Sequence, residues 1–262
     1  MSEENIFELL DAPIDASVRK ERLQELVIRH RQARNLGVDV LNAVGTQTEN
    51  LLTRLPTPVQ DQLGEATHAA LSTAMNAAHG SRSLVDGAPN WLNRAVSTAM
   101  GAAGGVGGLP TALAELPFTT TVLLRAIQDE AVAHGFDPAE ESVRFDCVKI
   151  FGTAGPLEDD DGADLAFLGS RMALTGAALQ GLIARVAPRL ATVLGQKLAA
   201  QTVPVLGAAA GAVTNFVYCR YYQDIAHVHF GLRRLAIAAD MNITEVQKEF
   251  RALIQEPEVK RA

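Results

Sequence analysis

Two long stretches of this chain carry no charge and are rich in glycine and alanine, and they constrain its fold more than anything else in it. The first runs from Ala95 to Ala114 and holds Gly101, Gly104, Gly105, Gly107 and Gly108. The second covers the 22 residues from Leu198 to Cys219 and holds Gly207 and Gly211. Glycines four apart share one helix face, and small residues there let two helix backbones approach closely. No segment alternates apolar and polar residues for long enough to make a strand. The chain therefore reads as all-α, a multi-helix bundle built around two glycine/alanine-rich central helices.

Roughly 20 apolar residues suffice to cross a bilayer, so each stretch also invites a membrane reading. Against it, Pro110, Pro204, Gln201 and Asn215 are costly in lipid. Tyr218, Tyr221 and Tyr222 do cluster at and beyond the end of the second stretch, where an interfacial belt would sit. Tightly packed central helices of a soluble bundle are the expectation, with a reversibly inserting hairpin as the alternative.

Charge and cysteine usage narrow the class further. With 23 basic and 30 acidic residues among 262, the net charge is −7, which argues against a nucleic-acid partner. Cys147 and Cys219 stand far apart among apolar neighbours and read as buried small hydrophobes. The first residues lack the basic and apolar regions of a secretory signal, so a cytoplasmic location is expected, with the inner membrane face as a peripheral site.

Helix punctuation divides the chain into 1–80, 81–241 and 242–262. From Leu23 to Val44, apolar and small positions recur every three or four residues, predicting an amphipathic helix that Gly37 could break. Its other face carries Arg19, Lys20, Arg22, Arg29, Arg31 and Arg34, a surface that could meet anionic headgroups but for Glu21 and Glu25. Thr57, Pro58 and Gln60 form a cap, a first-turn proline and a capping-box partner, opening an alanine-rich helix that Gly80 can close. Asn90 reads as a cap for a helix starting at Trp91. Asp137, Pro138 and Glu140 repeat the signature, as do Asn242 and Glu245 for a last helix ended by Pro257. Pro188 and Pro204 are expected to interrupt the small-residue segments.

Few motifs survive a test for chemistry. The acidic run Glu158, Asp159, Asp160, Asp161, Gly162 fails as a calcium loop, because placing Gly162 sixth puts Leu157 first and Leu168 twelfth. The glycines from Gly101 to Gly108 lack the lysine of a phosphate-binding loop. Asp224, His227 and His229 form D-x-x-H-x-H, in which Asp224 and His227 share a helix face while His229 points elsewhere, so all three cannot ligate one ion on an unbroken helix. No metal or other cofactor is expected. A buried, hydrogen-bonded Asp and His pair is the plainer reading of Asp224 and His227.

From Trp91 to about Ala239 the chain resembles the EcsC protein family, a bacterial group named for the third gene of an operon encoding an ABC transporter linked to secretion and competence. The resemblance lies in the glycine-rich segment leading into Glu115, Leu116 and Pro117, in Thr119, Thr120 and Thr121, and in Leu124, Arg125, Ile127, Gly135 and Asp137. It continues in Pro204, Val205, Gly207, Ala208, Gly211 and Asn215, and closes on His229, Phe230, Arg233 and Leu235. It implies a role in membrane or envelope processes. Some members carry peptidase labels, although this chain has no recognisable nucleophile.

Glu115, Arg125, Asn215, His229 and Arg233 are polar residues in or beside small apolar helices, where each needs a partner if buried. A small-residue helix, a proline and a more polar helix recur around Gly101–His134 and Pro204–Leu235. The two units are expected to pack their glycine faces, Gly101, Gly104, Gly105 and Gly108 against Gly207 and Gly211, with the polar groups meeting in a network. Function is expected to be that of a non-enzymatic accessory protein contacting the cytoplasmic membrane surface or a membrane protein. One alternative is a hydrolase with His229 or His227 as base and Asp224 or Glu115 orienting it. Another is a soluble scaffold for a small apolar ligand.

Overall fold

The computed structural model describes residues 13–44, 53, 55–82, 116–153, 176–201 and 207–255. Among them the regular structure is helical: α1 (Ala16–Val44), α2 (Thr57–Arg82), α3 (Leu116–Ala133), α4 (Glu141–Phe151), α5 (Gly176–Gln201), α6 (Gly207–Ala238) and α7 (Ile243–Gln255). No helix among the described residues is long and apolar enough to cross a membrane. The readings placed on Asn90 and Trp91, on Gly101, Gly104, Gly105 and Gly108, on Glu115, on the acidic run at 158–162 and on Pro204 fall outside the described residues.

Capping chemistry sets several helix ends. Asp15 starts α1 by accepting the backbone N–H groups of Ser17 and Val18 on one carboxylate oxygen, at 2.8 and 3.0 Å. Those hydrogen bonds, led by the one from the Ser17 hydroxyl, hold its carboxyl below the ordinary range. The helix thus begins seven residues before the apolar pattern does, and it passes through Gly37 unbroken. Asn242 caps α7 by accepting the Thr244 backbone N–H at 3.0 Å, as its sequence signature predicts.

Two other signatures act differently. Gln60 does reach back, but its amide donates to the Leu55 carbonyl at 2.6 Å, and α2 already includes Thr57. Asp137 accepts from the Ala139 backbone N–H at 2.8 Å, closing a turn of its own. Helix α4 therefore starts at Glu141, with Glu140 in the cap position and making no side-chain cap bond.

Two helices end in the same left-handed device. After α3, the Gly135 N–H donates to Val132 O and the Phe136 N–H to Ala131 O, both at 2.9 Å, with Gly135 at φ 81°. After α6, the Asp240 N–H donates to Ile237 O and the Met241 N–H to Ala236 O, with Asp240 at φ 51°. Both are Schellman closures, the second built without glycine.

Pro188 does not interrupt its segment: α5 runs through it. A proline inside a helix costs about 3 kcal/mol, and burial of Leu182, Ile183, Val186, Leu190, Val193 and Leu194 on both sides of it offsets that cost. Helix α6 is continuous over 32 residues, about 48 Å at 1.5 Å per residue. Gly207 and Gly211 lie in its first turns.

The helices bury two apolar clusters. In the larger, Leu71 of α2, Leu123 and Ile127 of α3, Phe145 and Phe151 of α4, Leu182 and Leu190 of α5 and Tyr218 and Tyr222 of α6 pack together. The smaller joins Leu23, Leu26 and Val27 of α1 to Val228, Leu232 and Leu235 of α6 and to Val246 and Phe250 of α7. Helix α2 packs on α3 and α5, and α1 lies along α6, so both N-terminal helices bear directly on the later ones. Cys147 and Cys219 are both buried in the larger core.

Candidate functional site

Helix α3 ends about two thirds of the way along α6, and polar side chains from both collect at that junction. Glu130, one turn before the end of α3, is 3% exposed. His134 follows four residues later, on the same face. Its Nδ1 lies 2.8 Å from the Glu130 carbonyl oxygen, which also accepts the His134 backbone N–H at 3.2 Å. A carbonyl only accepts, so Nδ1 carries the ring proton and Nε2 keeps its lone pair. Burial pushes the His134 imidazole below its ordinary value, and the neighbouring His227 adds to that, against the pull of the Glu130 carbonyl and carboxylate.

His227 comes from α6. Its Nδ1 lies 3.0 Å from Glu130 Oε2, and its ring meets that of His134 edge to face with centroids 4.7 Å apart. One ligand atom from each of Glu130, His134 and His227 falls within 4.8 Å of the other two. Both imidazoles are half-buried while the carboxylate is buried, so the group opens to solvent on its histidine side.

Asp224 does not orient His227. One turn earlier on α6 and 1% exposed, it accepts from Arg29 of α1 at 2.5 Å, with Arg220 at 3.6 Å on its other oxygen. Burial pushes its carboxyl up, against the two guanidinium groups. The carboxylate beside His227 is Glu130.

His229 points the other way round α6, to a second cluster. Its Nε2 lies 3.1 Å from Asp146 Oδ2 of α4, the same oxygen that accepts from Arg233 at 2.9 Å. Arg233 also donates to the Ser142 hydroxyl at 3.0 Å and lies over the Phe136 ring, 4.6 Å from its centroid. Lys149 completes the group at 3.8 Å from the other Asp146 oxygen. Burial pushes the Asp146 carboxyl up, but His229, Lys149 and Arg233 outweigh it and hold it below the ordinary carboxylate range.

Of the five residues expected to form one network, the structure brings His229 and Arg233 together through Asp146. Arg125 is half-buried on α3, and Asn215 is 2% exposed near the start of α6, 14 residues before His229. Sequence reasoning missed Asp146, Glu130 and His134. The local signal for the last two was the four-residue spacing of a carboxylate and an imidazole at a helix end closed by Gly135.

The architecture defines the class: among the described residues, an all-helical bundle whose longest helix lines two polar clusters with alternate histidines. Residues 88–235, more than half of the chain, match the EcsC protein family, and the chain belongs to that family. Neither a curated protein nor a solved structure matches it.

Proposed function

We propose that this chain is a non-enzymatic accessory protein acting at the cytoplasmic face of a membrane, where it meets lipid through one end of its bundle. The observation that carries this is the position of two exposed aromatics. Helices α3 and α6 run in the same sense, because at the end of α3 Glu130 meets His227 and His134, one turn later, stands by Gly231, one turn after His227. Phe118, 43% exposed, stands 12 residues before Glu130, and Phe216, 38% exposed, stands 11 before His227. At 1.5 Å per residue both lie about 16–18 Å from that contact, toward the same end. In sequence, one uncharged glycine-rich segment ends just before α3 and the other runs on into α6 as far as Cys219.

The basic face of α1 is a weaker candidate for lipid. Arg19 pairs with Glu249, Arg29 with Asp224, and Arg31 donates to the carbonyls of Leu253 and Ile254. Those guanidinium groups hold the fold together. Flotation of the detergent-free full chain with neutral and anionic vesicles tests the reading. Binding to both that survives high salt is expected, with loss in the double variant Phe118→Asp, Phe216→Asp. A chain that stays at the bottom, or floats only with anionic vesicles at low salt, refutes it.

A further inference from the structure

We infer that Glu130, His134 and His227 form a binding site for a single divalent transition-metal ion of the zinc class. Two imidazoles and one carboxylate are a donor set that such ions favour, with a fourth position left for water. The spacing suits the size of the ion. Ligand bonds of about 2.0–2.1 Å in a tetrahedral arrangement place donor atoms about 3.3 Å apart. Glu130 Oε2 and His227 Nδ1 are 3.0 Å apart, an ion taking the place of the Nδ1 proton that now bridges them, and the third donor lies within 4.8 Å. Closing the set requires a shift of about 1.5 Å at the end of α3, where His134 is the last residue before the Gly135 turn.

The surroundings are those of a ligand set. The Glu130 carbonyl holds the His134 ring by Nδ1, the kind of outer partner that fixes a metal-binding histidine in the correct tautomer. His134 Nε2, which keeps the lone pair, faces a bare stretch of α6: a Cβ at Gly231 would stand 3.4 Å from it. The carboxylate is buried, whereas the His227 side chain is 35% exposed, giving an ion a way in from solvent. His68, exposed on α2, and His229, held by Asp146, lie outside the set.

The site does not depend on membrane contact, and its test is separate. The tag-free full chain, stripped with chelator, is titrated with Zn²⁺ by calorimetry and with Co²⁺ by visible absorption. One equivalent is expected, with the intense Co²⁺ bands of four or five coordination. His134→Gln and Glu130→Gln are expected to weaken Zn²⁺ binding at least 30-fold, and His68→Gln to leave it unchanged. Folding of each variant is checked by helical circular dichroism in chelator. Because Glu130 is buried, His134→Gln decides the matter if Glu130→Gln fails to fold. Zn²⁺ is also expected to raise the melting temperature of the wild type and not of His134→Gln. Binding well below one equivalent, or equal affinity in wild type and His134→Gln, overturns the proposal.

Discussion

Gly231 is where α1 and α6 approach closely enough to exclude a side chain. A Cβ there would stand 2.7 Å from Leu26 Cδ2 and 3.4 Å from Leu26 Cδ1. Carbon atoms rest about 3.5–4.0 Å apart, so Leu26 would have to retreat by about 1 Å. Both methyl groups lie on that side, and Leu26 is itself packed in the smaller core. Overpacking of this kind costs about 1–3 kcal/mol, while alanine gains about 1 kcal/mol over glycine inside a helix. Gly231→Ala is therefore expected to destabilise by about 1 kcal/mol net. Leu26, 7% exposed in the smaller core, should cost about 2–5 kcal/mol when cut to alanine. In that background Leu26 no longer obstructs and only His134 Nε2 at 3.4 Å remains, so Gly231→Ala should range from neutral to stabilising by about 1 kcal/mol, a coupling of about 1–2 kcal/mol. Urea unfolding of the four proteins, followed by helical circular dichroism, measures it. Additivity within about 0.5 kcal/mol would refute the close approach.

Three further expectations rest on single residues. Asp240 holds a left-handed conformation at φ 51°, so Asp240→Gly should stabilise by about 1 kcal/mol, read as a higher urea midpoint at unchanged slope; a lower midpoint would mean that the carboxylate contributes more than the backbone loses. Asp146 has a folded-state pKa below its unfolded value of about 3.9, so its contribution is complete above that pH and lost as pH falls through the lower folded value. Asp146→Asn should therefore flatten the fall in stability below about pH 4, and an acid limb parallel to wild type would contradict this. Arg29→Ala leaves the buried Asp224 with Arg220 at 3.6 Å, and the loss should be about 2 kcal/mol, smaller in an Asp224→Asn background; equal losses in both would show that the pair is not coupled.

Local chemistry in the sequence was enough to read the helical class and the Asn242 cap, because both depend on spacing within a few residues. The start of α1 was not, since its cap at Asp15 precedes the first apolar repeat by two turns. Pro188 misled for a different reason: a proline's local cost is fixed, but the burial on either side that offsets it is a property of the assembled bundle. The same limit governs the polar clusters. The D-x-x-H-x-H pattern correctly separates His229 from Asp224 and His227 by helix geometry, yet it says nothing of their partners. Asp146 stands 87 residues from Arg233, and Glu130 stands 97 from His227. Only the packing of α3 and α4 against α6 brings them into contact.

Helix α6 contributes to both apolar clusters, with Tyr218 and Tyr222 in the larger and Leu232 and Leu235 in the smaller. Among the residues whose burial is described, the layer formed by α1 and α7 adds its apolar residues to the smaller cluster, with Ala33 in the larger. That division makes the layer a separable unit of unfolding, able to detach while the remaining helices keep their packing. Amide hydrogens in α1 and α7 should then exchange together, ahead of those in α3 and the first half of α6. The Arg29–Asp224 pair crosses the seam, so its strength sets how often the layer opens.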